Sequence, residues 1–383
     1  MAKLVLLYWG CVFLMYLSQV YYPVRNQLQG HQSGRRHFLR RKSDVFVLIA
    51  CFLMICFVFL RESYNDTANY IFFWRNADSM QVLLEKGTLL DLTGNPLSML
   101  WQSFSHEISD SFHVYFLLPA VVINISAIKL IKYYSVNPSF SVLVFFSIGT
   151  YIMYMAAMKQ CFAMFFLLWS IPYAERKQYG RFYLLVGIAI LFHTHAFMFA
   201  IIPFLFNKPW GKTTWIGLGV ALFSMATYDV TLGAFMEYAQ SIGMLVDESE
   251  LFDGHQINVL RVVVYWIPTI LALVLRKRLF HNSSRMENLF ANMAIVSSII
   301  LMVGLVQGAN LYARMAAYFE IAAAITLPWM IRKLFNKQSE QLVTTMAVIC
   351  YFGYFLYEFG VSKPFGSQYR AITLWQFIME LIG

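Results

Sequence analysis

The chain has 383 residues, 59% of them hydrophobic and 13% charged, with 35 Phe, 23 Tyr and 20 Met. Soluble domains run near 45–50% apolar and about 25% charged, so this composition excludes a disordered chain and a water-soluble domain. The net charge of +9 asks whether an anion or a nucleic acid is the partner, and the placement of the charges decides it.

A bilayer core about 30 Å thick needs about 20 mostly apolar residues per helix. Apolar runs punctuated by charged clusters predict helices, in chain order, near 3–22, 44–61, 112–131, 139–157, 159–174, 181–195, 196–208, 212–228, 257–276, 286–306, 312–331 and 342–360. The pair 181–195 and 196–208 reads either as two short helices folded back or as one long bent helix. None of the runs alternates apolar and polar residues, which argues against transmembrane strands. The fold class expected is an all-α polytopic membrane protein of about 12 transmembrane helices, a single integral membrane domain over residues 1–383. Two loops are long, 62–111 and 229–256, and the second carries Asp229, Glu237, Asp247, Glu248, Glu250 and Asp253. The tail 361–383 contains Tyr369 to Ile378, which reads as a short amphipathic helix at the membrane interface. The first apolar run lacks a small-residue cleavage site and reads as an uncleaved helix.

Orientation follows from Lys and Arg. Residues 23–44 carry Arg25, Arg35, Arg36, Arg40, Arg41 and Lys42, which marks that loop as cytoplasmic. Alternation then places 129–134, 175–181, 208–212, 276–287 and 332–340 on the same side. These six segments hold 20 of the 29 Lys and Arg but only four acids, Asp44, Glu175, Glu287 and Glu340. The division is +16 inside and −7 over the rest, with both termini and both long loops outside. Basic residues in short alternate clusters form no continuous binding face, and no soluble segment interleaves them with aromatics, so nucleic acid is excluded as a partner.

The cations on the other side are scarce and gather at membrane edges: Arg61, Arg75, Lys159, Arg261 and Arg314. Each one reads equally as a snorkelling side chain or as part of a site for an anion such as phosphate or pyrophosphate. As a group they favour the anion. Asp66 lies close after the second span and reads either as a general base for a sugar hydroxyl or, by spacing the better reading, as the cap of the amphipathic segment Tyr70 to Leu84. His193 and His195 sit at a predicted outer turn. On a continuous helix their side chains would diverge by about 200°, so one interfacial histidine, or one imidazole acting on substrate, is expected rather than a metal site. His255, beside Asp253, is a weaker candidate of the same kind. Glu320 lies deep in the 312–331 run and should find a partner inside the bundle. All five cysteines fall in apolar runs and read as small buried hydrophobes. Asn65-Asp66-Thr67 is formally a glycosylation sequon.

These motifs, in this order, resemble the EpsG and Wzy-type exopolysaccharide polymerases of bacteria. The matching positions are Asn65-Asp66-Thr67 through Tyr70, Lys159-Gln160 through Ala163, Phe192-His193-Thr194-His195-Ala196, and Tyr312 through Arg314. One departure stands out. The family's central pair is usually Arg-Gln, and Lys159-Gln160 keeps the charge without the planar fork, so phosphate would be held as by a point charge. The resemblance implies a GT-C-like helical bundle in the bacterial plasma membrane that polymerises undecaprenyl-pyrophosphate-linked oligosaccharide into exopolysaccharide or capsule on the outer face. It implies Asp66, His193 or His195 as the base, Lys159, Gln160, Arg261 and Arg314 on the pyrophosphate, and Tyr70, Arg75 and Tyr312 on the substrate. It needs no cofactor and no metal, and its partners are the lipid-linked substrate, membrane lipid and other polysaccharide export proteins. Two other readings use the same residues. One is a transferase taking a polyprenyl-phosphate sugar, or a glycan ligase. The other is a flippase or transporter for lipid-linked sugars, which usually shows internal repeats, and none is visible here.

Overall fold

The computed structural model describes residues 1–23, 44–87, 94–227, 230, 234, 238 and 255–382. The basic loop expected after the first span and the six acids of the loop 229–256 lie outside the described residues. The described chain forms two compact units, one built from the residues up to Ala200 and from Gln341 onward, the other from Ile201–Glu340.

The first unit opens with α1 (Ala2–Tyr21) and α2 (Val45–Phe59), followed by the short strand β1 (Arg61–Ser63). Helices α3 (Thr67–Arg75), α4 (Met80–Glu85) and α5 (Pro96–Ile108) come next. The unit continues through α6 (Phe112–Tyr134), α7 (Pro138–Ser147), α8 (Thr150–Ala156), α9 (Met158–Glu175) and α10 (Tyr179–Phe192). A 3₁₀ helix, Thr194–Phe206, leads to the second unit, with α11 (Lys212–Ala226), α12 (Val259–Val274), α13 (Arg276–Phe280), α14 (Arg285–Val303) and α15 (Ala309–Leu334). The chain returns to the first unit along α16 (Lys337–Tyr357), a π-helical turn at Glu358–Ser362, α17 (Phe365–Gln368), β2 (Arg370–Ala371) and α18 (Leu374–Ile382).

This is an all-α membrane protein that crosses the bilayer more than once. Among the described residues, α1, α6, α14 and the run Lys337–Ser362 are long and apolar enough to span, and the bent pair α7–α8 makes a fifth if it counts as one. Helix α1 shows how such a helix meets lipid. Leu4, Tyr8, Cys11 and Met15 are buried on one stripe, while Leu6, Phe13 and Val20 stay exposed on another. Apolar groups at helical spacing on both faces are what a helix needs when one face meets protein and the other hydrocarbon.

The four acids assigned to the inner ends all have partners. Asp44 caps α2 by accepting from Phe46 N and Val47 N, accepts from Ser18 Oγ at 2.6 Å and pairs with Lys132. Glu175 accepts from the Tyr134 hydroxyl at 2.9 Å. Glu287 forms a capping box with Ser284 and pairs with Lys333 at 3.6 Å. Glu340 pairs with Arg332 at 3.1 Å.

Two details depart from the expected elements, and a third decides between the two readings left open at 181–208. The segment 62–111 is no featureless loop, because it holds α3, α4 and α5 among its described residues. The run at 139–157 is broken between α7 and α8 by a 52° bend. Gly149 at the bend has φ +86°, and a Cβ there would sit 3.1 Å from the Phe359 ring, so both the backbone and the close approach call for glycine. At 181–208 the chain folds back: the Tyr183 hydroxyl reaches Ala200 O at 3.5 Å, whereas 17 residues of continuous helix would hold them about 25 Å apart. The five cysteines are free. Cys11, Cys51 and Cys161 are buried, Cys56 is half-buried and Cys350 is exposed.

The tail closes over the end of α2. Strand β2 pairs antiparallel with β1, Arg61 opposite Ala371 and Ser63 opposite Arg370. The Tyr369 ring stacks on Phe57 at 4.5 Å, its hydroxyl donates to Phe57 O at 2.8 Å, and burial pushes the phenol well above its ordinary pKa, so it stays a neutral donor. In α18, Phe377 is buried against Phe59 and Glu380 accepts from Ser111 Oγ at 2.8 Å.

Candidate functional site

Asp66 occupies the N-cap position of α3, with its side chain making no capping hydrogen bond. The position is the one the cap reading expects, without the capping hydrogen bond that reading implies. Thr67 at the next position has its hydroxyl turned back onto Tyr64 O. One turn on, Tyr70 connects this motif to a distant one. Helices α8 and α9 are separated by a single non-helical residue, Ala157. Such a break leaves carbonyls at one helix end and N–H groups at the other without helical partners. The Tyr70 hydroxyl donates to Ala156 O at 3.3 Å and accepts from Met158 N at 3.2 Å. Met158 is followed directly by Lys159 and Gln160, in the first turn of α9. Lys159 is half-buried and Gln160 buried. The positive end of the α9 dipole and the Lys159 ammonium therefore reinforce each other.

Helices α9 and α10 form an antiparallel hairpin, so the start of α9 lies beside the end of α10. Phe162 and Phe166 both stack on Phe192, at 4.9 and 5.5 Å between ring centroids. His193 follows as the C-cap of α10, in an extended conformation. The rings of His193 and His195 are consequently 5.2 Å apart. The divergence expected of a continuous helix does not apply, because the helix ends between Phe192 and Thr194. Among the described residues no group of three His, Cys, Asp or Glu is placed to hold a metal ion.

Helix α5 closes the circuit. Asn95 Oδ1 accepts from Thr194 N at 2.9 Å, and Ser98 Oγ donates to Phe192 O at 2.7 Å. Farther along, Trp74 of α3 donates to Ser105 Oγ at 3.1 Å, and Gln102 donates to Phe73 O at 2.7 Å. Asp66 and Tyr70 on α3, Lys159 and Gln160 on α9, and His193 and His195 after α10 are thus joined through α5 into one ring of elements. Arg75, in the last turn of α3, is exposed.

Asn95 and Ser98 escaped sequence reasoning, although Asn95-Pro96 carries the helix-start signature of proline in the first turn. Arg61 also gains weight. It is fully buried, donates through Nε to Thr67 Oγ1 at 3.0 Å and through Nη1 to Val58 O, and lies 4.2 Å from the Phe116 ring centre.

The second unit holds the remaining candidates. Arg261, on the first turn of α12, is buried and pairs with the fully buried Glu320 at 3.5 Å. Glu320 has the partner expected of a carboxylate within a span. Tyr312 and Arg314 lie half-buried in the first turns of α15. The approach to this end is tightly fitted: Ile257 N donates to Gly304 O at 2.8 Å and Ala309 N to His255 O at 3.0 Å. A Cβ on Gly304 would lie 2.4 Å from Ile257 Cδ1.

The model of the EpsG family matches residues 44–371 of the chain. No curated protein and no solved structure matches it.

Proposed function

The chain belongs to the EpsG family, and from that premise we propose that it polymerises undecaprenyl-pyrophosphate-linked oligosaccharide repeats into exopolysaccharide at the outer face of the bacterial plasma membrane. Family membership fits a polysaccharide polymerase. The observation that carries the finer reading is the ring of α3, α5, α9 and α10, which gathers a carboxylate, a lysine at a helix N-terminus and two imidazoles in one unit. The proposed span count is twelve, with both termini outside.

In this reaction the acceptor hydroxyl oxygen forms a bond to the anomeric carbon of the donor, the bond from that carbon to the pyrophosphate oxygen breaks, and the lipid pyrophosphate leaves with the electron pair. Asp66 takes the hydroxyl proton in our assignment, with His193 or His195 as the alternative base. Lys159, at the positive end of α9, stabilises the charge developing on the leaving pyrophosphate, with Gln160 donating beside it. Arg261 and Arg314 are assigned to binding pyrophosphate, and Tyr70, Arg75 and Tyr312 to positioning the glycan. The mechanism asks for no cofactor.

The test is reconstitution with a purified lipid-linked repeat, read as a ladder on a gel. Wild type makes the ladder. Asp66→Asn lowers the rate by about 10²–10⁴, the usual contribution of a general base. Lys159→Ala abolishes the ladder while Lys159→Arg keeps it, since the family usually carries arginine there. Normal ladders from both D66N and K159A would sink the site assignment. Unpolymerised repeats translocated by the pure protein without any ladder would sink the polymerase.

A further inference from the structure

A guanidinium removed from water is costly unless its donors are placed. Arg61 is fully buried, so what its donors hold has to justify the position. Each contact fixes one of the elements around Asp66. Nη1 accepts the role of a helix C-cap, donating to Val58 O in the last turn of α2. Nε donates to Thr67 Oγ1, 3.0 Å away, at the first residue of α3. The planar face covers the Phe116 ring on α6 at 4.2 Å. The backbone of the same residue lies in β1, paired with Ala371. Between Arg61 and Thr67 the chain makes a tight reversal in which Asn65 has φ +47°, and Asp66 is the residue between that strained position and Thr67. The two ends of the loop bearing Asp66 are thus clamped by one side chain: Arg61 itself at one end, Thr67 at the other.

We infer that Arg61 is a positioning residue, which holds the Asp66 carboxylate in place by bridging the end of α2 to the start of α3 through Thr67. This rests on the assignment of Asp66 as the base. In this role Arg61 works through Asp66 and not by contact with a reacting atom. Only arginine fits the role, because its fork donates in two directions from one rigid plane, whereas lysine is a point charge that cannot make both bonds together.

The test uses full-length protein in proteoliposomes with a purified lipid-linked repeat, and compares R61K, T67V, T67S and D66N, each singly, with the double variant R61K/D66N. R61K is expected to lower kcat at least tenfold with KM for the lipid-linked repeat changed less than threefold, because binding groups stay in place while the base is misaimed. T67V removes the acceptor without touching the arginine, nearly isosterically, and should reproduce the loss; T67S restores the hydroxyl and should recover most of it. If Arg61 acts through Asp66, R61K costs nothing further once D66N has removed the base, and the double variant matches D66N within about twofold. A further tenfold loss in the double variant overturns the inference, as does wild-type kcat in both R61K and T67V. If R61K fails to insert, T67V and T67S decide alone: equal activities in those two would sink the idea. Failure of the underlying assignment looks different, since D66N would then polymerise at the wild-type rate.

Discussion

At the scale of single residues, the sequence is most informative where charge meets an apolar run. Glu320 stands out as an acid deep in a hydrophobic segment, and its need for a partner is legible from the cost of burying a charge. The identity of that partner is not legible, because Arg261 is 59 residues away and on another helix. The pair at 3.5 Å has both side chains almost wholly removed from water. Breaking one member leaves the other charge buried and uncompensated, at about 3–5 kcal/mol, whereas replacing both by apolar groups of similar volume is often neutral. Glu320→Gln should therefore lower the thermal midpoint in detergent clearly, and the double change Arg261→Met with Glu320→Leu should recover most of it. The double variant also separates two roles of Arg261. If it recovers stability but makes no ladder, Arg261 serves the pyrophosphate; if it recovers both, Arg261 serves only Glu320. The site residues divide in the same way. Asp66, Lys159 and the histidines stand out as candidates because polar groups are rare in this chain, while Asn95 and Ser98 are ordinary loop-like residues whose contacts depend on where α5 lands.

At the scale of elements, apolar periodicity placed most of the helices within a few residues, since hydrophobic runs and charged ends mark their limits. What it missed is the break inside a run. The run 139–157 has no proline to announce its bend, and the glycine that makes it is one of 20 in the chain. The break at Ala157, by contrast, is legible where Lys159 separates the apolar runs 139–157 and 159–174, and it matters more, because it places Lys159 at the N-terminus of α9. Tyr70 satisfies both sides of that break with one hydroxyl. Tyr70→Phe keeps the ring and removes both hydrogen bonds, which should cost about 1–3 kcal/mol for the backbone groups left unmet. It should also slow polymerisation, because the α9 N-terminus loses its tie to the Asp66 motif. A thermal midpoint that drops with full activity retained would show that the tie serves folding alone. The pairing of β1 with β2 yields a second prediction at this scale. Deleting residues 373–383 leaves β2 and the Tyr369 contacts intact, and activity should largely survive. Deleting 363–383 removes the strand opposite Arg61, together with the stack of Tyr369 on Phe57, and should abolish the ladder. Equal activity in the two truncations would remove the tail from any role in ordering the Asp66 loop.

At the scale of the whole molecule, the distribution of charge and the contacts of the first unit bear on the same question from independent sides. Under the proposed twelve-span arrangement, 20 of 29 basic residues fall on one face. The contacts tie chain segments that must share a face: a Cβ on Gly366 would lie 2.7 Å from Met1 N, and β1 after α2 pairs with β2 near the chain's end. The proposed arrangement, with an even number of crossings between α2 and the tail and both termini outside, accommodates these ties. Between Asn76 and Lys177 the twelve-span arrangement requires three crossings, by α6, by α7–α8 and by α9. The middle one is the demanding step, because α7–α8 must cross as a single span despite its 52° bend. Its 19 residues, Pro138–Ala156, reach about 28 Å at helical rise, close to the 30 Å of the hydrocarbon core. Cysteine labelling with a membrane-impermeant maleimide on intact cells reads this directly, in a background where the exposed Cys350 is replaced by serine. Asn76→Cys and Ser367→Cys should label from outside, and Lys177→Cys and Asn282→Cys only after permeabilisation. Labelling of Lys177→Cys from outside along with Asn76→Cys would mean that α7–α8 turns back within the membrane. It would place the inner basic segment 175–181 on the wrong face for its charge, and it would set Lys159 at the opposite end of its helix from the outer leaflet where the pyrophosphate is expected.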